Sequence, residues 1–201
     1  MVLKLYGSSL STCTKRVATI LHEKQVPFEI IEVDFAKSEH KSPAYLEKQP
    51  FGQIPYIDDD GFILYESRAI GRYIAANYPE KGPALLPTEK KANALFEQAA
   101  SVELSNFDEM FGGTADKALF DELIATLDKK LDAYNDILGK QKYLAGDEIT
   151  LADLFHLPYG SMLSVAGSNV LETKPNVARW WKDVSSRPSW QAVKDKATGI
   201  A

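Results

Sequence analysis

Two short apolar runs flank a helical stretch at the start of the chain, and together they leave few topologies open. Val2 to Tyr6 reads as a strand, residues from about Thr12 to Gln25 as a helix, and Phe28 to Val33 as a second strand. Within the middle stretch Val17, Ile20 and Leu21 recur at helical spacing, and Val26-Pro27 stops the pattern. A strand, a crossover helix and a strand predict a βαβ unit, with parallel strands and a right-handed connection.

A polar loop, AKSEHKSP, and a short amphipathic piece around Tyr45 and Leu46 follow. Next, Tyr56-Ile57 and Phe62-Ile63-Leu64-Tyr65 flank Asp-Asp-Asp-Gly, a hairpin signal because Asp-Gly tolerates the positive φ that such turns require. Ser67 is placed to cap a helix carrying Ile70, Tyr73 and Ile74 on one side and ending at Tyr78-Pro79. The first part of the chain is therefore expected to be βαβ-ββα, with a mixed four-stranded sheet.

The composition changes at YPEKGPALLPTEK, which reads as a linker. Beyond it almost nothing is strand-like. Roughly Lys90 to Met110 and Lys117 to Leu138 read as long helices, the second with Leu119, Leu123, Leu127, Leu131 and Leu138 as a buried stripe of bundle core. In GDEITLADLFHLP, Thr150 is an expected N-cap, Asp153 stands three residues on as in a capping box, and Ile149 with Leu154 fits a hydrophobic staple. The expected division is 1–79 for the α/β part, 80–88 for the linker and 89–201 for an all-helical part.

At 201 residues the chain is long enough to bury a sizeable core. Its 23 Lys plus Arg against 28 Asp plus Glu give a net charge of -5, so no basic field favours nucleic acid or an anionic membrane. A single cysteine, Cys13, forms no intrachain disulfide, and neither a signal-peptide pattern nor a spanning apolar stretch is present. A cytoplasmic location is expected. Histidines 22, 40 and 156 are widely spaced, so no metal and no cofactor are expected.

Gly7 is followed by Ser8, Ser9, Ser11, Thr12 and Thr14 crowded around Cys13. Taken alone, these hydroxyls begin a helix. Taken with STCTKRV, the pair His40-Lys41, PFGQIP, YESRAIGRYI and GDEITLAD, in order and spacing over nearly the whole chain, they give a sequence that resembles the cytosolic glutathione transferases, specifically the phi class of plants and similar fungal proteins. The resemblance implies a thioredoxin-like N-terminal domain joined to an all-α C-terminal helical bundle.

It also implies a site for glutathione, which carries two carboxylates, an ammonium and a thiol. Ile54-Pro55 is expected to be a cis peptide, preceded by Gln53, with the Ile54 main chain pairing with the tripeptide's cysteinyl residue. Ser67 is expected to bind the γ-glutamyl carboxylate and Glu66 the ammonium, with Arg68 adding positive potential; His40 and Lys41 are expected at the glycyl carboxylate. By themselves, Ser67 reads as a cap and His40-Lys41 as solvated surface.

A free thiol has a pKa near about 8.5, so its nucleophilic thiolate is scarce at neutral pH. The resemblance assigns the donor that stabilises it to Ser11, with Thr12 a neighbouring donor. Tyr6 is a rival with a packing role, and Cys13 would make the protein a thiol transferase forming mixed disulfides. Leu10, Phe35, Phe107 and Phe111 are expected to wall a pocket for a hydrophobic electrophile between the domains, although Phe107 and Phe111 also fit a core pair. Family members are homodimers; Phe51 matches an aromatic that enters the partner subunit, whereas Ala99 stands where tryptophan is common. The expected function is conjugation of glutathione to electrophiles in detoxification, with peroxide reduction as a second activity. Alternatives are a ligand carrier or transferase-like interaction module without catalysis, and a Cys13-dependent thiol transferase.

Overall fold

Alternation along the first strand decides what each face of the sheet can hold. In β1 (Leu3–Gly7), Leu3 and Leu5 are buried whereas Lys4 is exposed and Tyr6 half-buried. Successive side chains point to opposite faces, so Tyr6 lies on the face away from Leu5. The computed structural model describes residues 2–108 and 117–200.

The βαβ unit forms as read. Helix α1 (Thr12–Glu23) fully buries Val17, Ile20 and Leu21, and β2 (Phe28–Glu32) runs parallel to β1 in the register Leu3↔Phe28 to Gly7↔Glu32. After the short α2 (Pro43–Leu46), strands β3 (Tyr56–Asp59) and β4 (Phe62–Tyr65) form the expected hairpin. Its turn residues Asp60 and Gly61 both have positive φ, 54° and 89°, and the Gly61 N–H donates to Asp58 Oδ1 at 2.8 Å. The sheet order is β2-β1-β3-β4, with β3 antiparallel to β1. Helix α3 (Ser67–Asn77) buries Ile70 and Ile74, and Tyr73 Oη donates to Asp59 Oδ2 at 2.7 Å.

The helical part holds α4 (Lys90–Val102), which runs on as a π-helical turn over Glu103–Phe107, then α5 (Lys117–Leu138), α6 (Leu151–Phe155), α7 (Leu157–Val165) and α8 (Pro175–Ser185). Residues of the first expected helix beyond Asp108 lie outside the described residues. Along α5 the stripe is buried at Leu127, Leu131 and Leu138, but Leu119 is 38% exposed. The reason is where the helix packs: Asn176 and Arg179 of α8 bond to Asn135 and Leu138 at the C-terminal end of α5.

The capping signal at Thr150 is the centre of this packing. Asp153, fully buried, accepts the Thr150 N–H at 2.9 Å and the Thr150 hydroxyl at 3.1 Å on Oδ2. Its Oδ1 accepts the Leu144 N–H at 3.0 Å and the Trp180 indole N–H at 2.9 Å. Burial pushes the carboxyl up, and these donors pull it back toward the ionised form. Ile149 and Leu154, the expected staple, are both buried.

The chain divides into two compact units, Met1–Pro83 with Pro188–Ala201, and Ala84–Arg187. The sequence-based division gave residues 89–201 entirely to the helical part. The difference has a local cause: α9 (Pro188–Gln191) and the segment after it bond to the first unit, with Ser189 Oγ donating to Glu23 and Ile200 bridging Phe28 antiparallel. No helix among the described residues is long and apolar enough to cross a membrane.

Candidate functional site

Ser11 is the N-cap of α1, with extended backbone at φ -67° and ψ 136°. Its Oγ accepts the Thr14 N–H at 3.4 Å, a long bond that uses a lone pair and leaves the hydroxyl proton available. The first-turn N–H groups of Thr12 and Cys13 have no intrahelical acceptor by helix geometry, and they add the positive end of the dipole. Ser11 and Thr12 are both partly exposed, so a ligand can reach them.

The end of β1 presses directly on this helix. A Cβ on Gly7 would lie 2.5 Å from Thr14 Oγ1 and 3.3 Å from Pro55 Cβ, so only glycine allows α1, β1 and the Pro55 loop to approach so closely. The Ile54-Pro55 peptide is cis, as expected from the resemblance. Ile54 itself is partly exposed, and neither its N–H nor its C=O has a hydrogen-bond partner among the described residues. An extended peptide can therefore pair with it as with a strand edge.

On the flanking loop, Tyr45 Oη donates to the Gln53 C=O at 2.8 Å, and buried Gln49 accepts the N–H groups of Phe51 at 2.8 Å and Gln53 at 3.3 Å. Burial pushes the Tyr56 phenol up to about 12, and Tyr45 is raised for the same reason, so both stay protonated donors. Lys41 donates to the C=O of Gly52 at 2.8 Å and of Phe51 at 3.2 Å. An ammonium has three donors, so one is left for a ligand. The ring of His40 stacks on Phe35 at 4.2 Å, and its Nδ1 is buried with no hydrogen-bond partner among the described residues.

At the start of α3 the structure departs from the sequence reading. Glu66, not Ser67, is the N-cap; it has φ 70° and ψ 106° and makes no side-chain capping bond. A non-glycine residue held at positive φ is strained, and such strain gathers at functional sites. Ser67 is the first helical residue, buried, and its Oγ accepts from Arg16 Nη1 at 3.0 Å. This leaves the Ser67 proton to donate outward. Arg68 follows, half-buried.

Arg16 is the residue that sequence reasoning missed. It is fully buried, and the same Nη1 lies 3.7 Å from Cys13 Sγ, so one guanidinium joins α1 to the start of α3. The signal was its place in the sequence: four residues before Ile20, a charge falls on the apolar stripe of α1.

Tyr6 stacks on Tyr56 at 4.5 Å and 11° and packs against the cluster of Val33, Tyr45 and Tyr56, which is the packing role expected of it. Cys13 is partly exposed. Among the residues expected at the electrophile, Phe107 departs from that reading. Phe107 is fully buried with its ring 4.7 Å from that of His156, so it is core of the helical unit and presents no surface to a ligand. Phe35 is 47% exposed but engaged with His40, Leu10 is 68% exposed, and Phe111 lies outside the described residues.

These elements define a protein class. Residues 1–76 match the family model for the glutathione S-transferase N-terminal domain and residues 83–188 that for the C-terminal domain, so the chain belongs to the glutathione S-transferase family, and its relatives place it in the phi class. It is 50% identical over 198 residues, 90% of each chain, to glutathione S-transferase PM239X14 of Arabidopsis thaliana. It is 44% identical to glutathione S-transferase hmp2 of the fungus Hypomyces subiculosus, covering 94% of this chain and 96% of that one. The crystal structure of glutathione transferase F7 from Populus trichocarpa superposes with a TM-score of 0.89 at 41% identity, covering 96% and 97% of the two chains. Glutathione S-transferase I from maize, solved with an atrazine glutathione conjugate, gives 0.84 at 36% identity, with 96% and 97% covered.

Proposed function

We propose that the protein binds glutathione along α1, the Ile54 edge and the start of α3, and that Ser11 holds its sulfur as a thiolate. The observation that carries this reading is Ser11 Oγ at the N-terminus of α1, accepting from Thr14 and so free to donate. A hydroxyl and first-turn N–H groups stabilise a sulfur anion over the neutral thiol, and each pKa unit lowered corresponds to about 1.4 kcal/mol. Gln53 and the main chain of Ile54 beside Pro55 take the cysteinyl residue, Ser67 the γ-glutamyl carboxylate, Glu66 the ammonium, and His40 with the third donor of Lys41 the glycyl carboxylate. Thr12 and Arg68 add donors and positive potential.

The thiolate then attacks an electrophilic carbon of a hydrophobic small molecule. The C–S bond forms as the leaving group departs with its electron pair, and the thiol proton passes to solvent. A conjugate of this kind is what the maize relative was solved with. No cofactor beyond the co-substrate takes part. The protein works in the cytoplasm as a homodimer joined in part through Phe51.

One observation favours a cysteine-based reading: Cys13 is partly exposed, and its Sγ lies 3.7 Å from Arg16 Nη1. The test separates the two. The parent is expected to be retained on immobilised glutathione and to conjugate an activated aryl chloride. Ser11→Ala is expected to lower kcat/KM by on the order of 100-fold, as loss of one aligned donor does in other active sites. Cys13→Ser is expected to leave conjugation unchanged. Normal turnover in Ser11→Ala rejects the serine mechanism, and loss of activity in Cys13→Ser alone selects the thiol transferase.

A further inference from the structure

Ser9 lies in the turn between β1 and α1, which is closed by the Ser11 N–H donating to the Ser8 C=O at 2.9 Å. Both polar groups of its main chain are held by residues remote in sequence. Its N–H faces the Glu32 carboxylate, 3.1 and 3.2 Å from the two oxygens, at the end of β2. Its C=O accepts the Ala197 N–H at 2.9 Å.

The tail that supplies Ala197 is itself fastened along the same unit. Lys15 Nζ donates to the Lys194 C=O at 2.8 Å, and His22 Nε2 lies 2.8 Å from the Thr198 C=O. Phe28 and Ile200 exchange N–H···O bonds at 3.0 and 3.1 Å. Leu10, the turn's outer residue, is 68% exposed, so packing does not anchor it. Ser9 is 4% exposed, and its main-chain bonds tie the turn to the end of β2 and to the tail.

We infer that Glu32 and the tail from Lys194 to Ile200 act as a positioning clamp that sets where Ser11 presents its hydroxyl. This rests on the proposed role of Ser11. A donor displaced by a fraction of an ångström loses much of its hold on a thiolate, so freeing Ser9 weakens thiol activation without removing any group that touches the tripeptide. Glu32 and Ala197 are positioning residues.

The experiment compares Glu32→Ala, Glu32→Gln, Ala197→Pro and Ser11→Ala by two readouts: the pKa of the bound glutathione thiol, from thiolate absorbance in the binary complex, and the pH profile of kcat/KM. Glu32→Ala and Ala197→Pro are expected to raise the thiol pKa by roughly 0.5 units or more, through loss of donor alignment, with the KM for glutathione little changed. Glu32→Gln keeps an acceptor for the Ser9 N–H and is expected to restore the parent value. A carboxylate acting only by its charge gives the opposite sign, since both Glu32 variants would then lower the pKa, and that result overturns the clamp. So does an unchanged pKa in Glu32→Ala, whose exposed side chain can be replaced without disturbing the core even if Ala197→Pro does not fold. A shift in Ser11→Ala with none in Glu32→Ala rejects the clamp alone, whereas an unchanged pKa in Ser11→Ala rejects Ser11 as the donor and with it the clamp that rests on it.

Discussion

At the scale of single residues, the site depends on one buried cation. Arg16 donates to Ser67 from within the apolar interior, and a charge-assisted hydrogen bond of that kind contributes about 1.5–3 kcal/mol. Arg16→Gln is expected to lower stability by on the order of 2 kcal/mol and to raise the KM for glutathione several-fold, with a smaller effect on kcat; thermal melts and steady-state kinetics check both. Ser67 and Ser11 were visible in the sequence only as cap-like hydroxyls, and the family resemblance turned them into ligand donors. Arg16 was hidden because a periodicity reading counts apolar positions and passes over a cation that shares their face. Phe107 erred the other way, since helical spacing does not distinguish a ring that lines a pocket from one sealed against His156.

Among the elements, those with strong local codes were legible. Alternation and the Asp-Gly turn fixed β4 to its observed limits and β3 at its start, with its end two residues short, and helical spacing with Val26-Pro27 fixed α1 to within two residues at its end. The capping signal at Thr150 was read as worth one cap. The structure gives Asp153 a larger task, because Trp180 of α8, an element with no expectation attached, depends on the same carboxylate. Removing it leaves the Trp180 indole and the Leu144 and Thr150 amides buried without acceptors, and each such group costs about 1–3 kcal/mol. Asp153→Ala is therefore expected to lower Tm by roughly 10 °C or more, measured by calorimetry. Asp153→Asn is expected to recover only part of that, because its amide nitrogen faces donors on one side.

For the whole molecule, Phe51 is the clearest feature that a lone chain does not explain. It is 64% exposed, with its ring edge-on to Tyr65 at 6.1 Å, on the loop that Lys41 and Gln49 hold rigid. If it enters a partner subunit, Phe51→Ala is expected to shift the protein from dimer toward monomer in sedimentation velocity at low micromolar concentration while leaving the fold intact. The bond from Ala197 to Ser9 spans nearly the full chain and belongs to an irregular segment, so no pattern of propensity or period announces it.

That bond has a consequence for how the protein is made. The unit bearing Ser11 is interrupted by the whole of residues 84–187 and is completed only by the segment that begins at Pro188. A ribosome delivers residues in order, so the nascent chain can settle its helical block while the turn around Ser9 still waits for its last partner. On the proposed role of Ser11, the geometry that arms glutathione then waits for the segment from Pro188 to Ile200, and a product lacking that segment is expected to keep its helical block without that alignment.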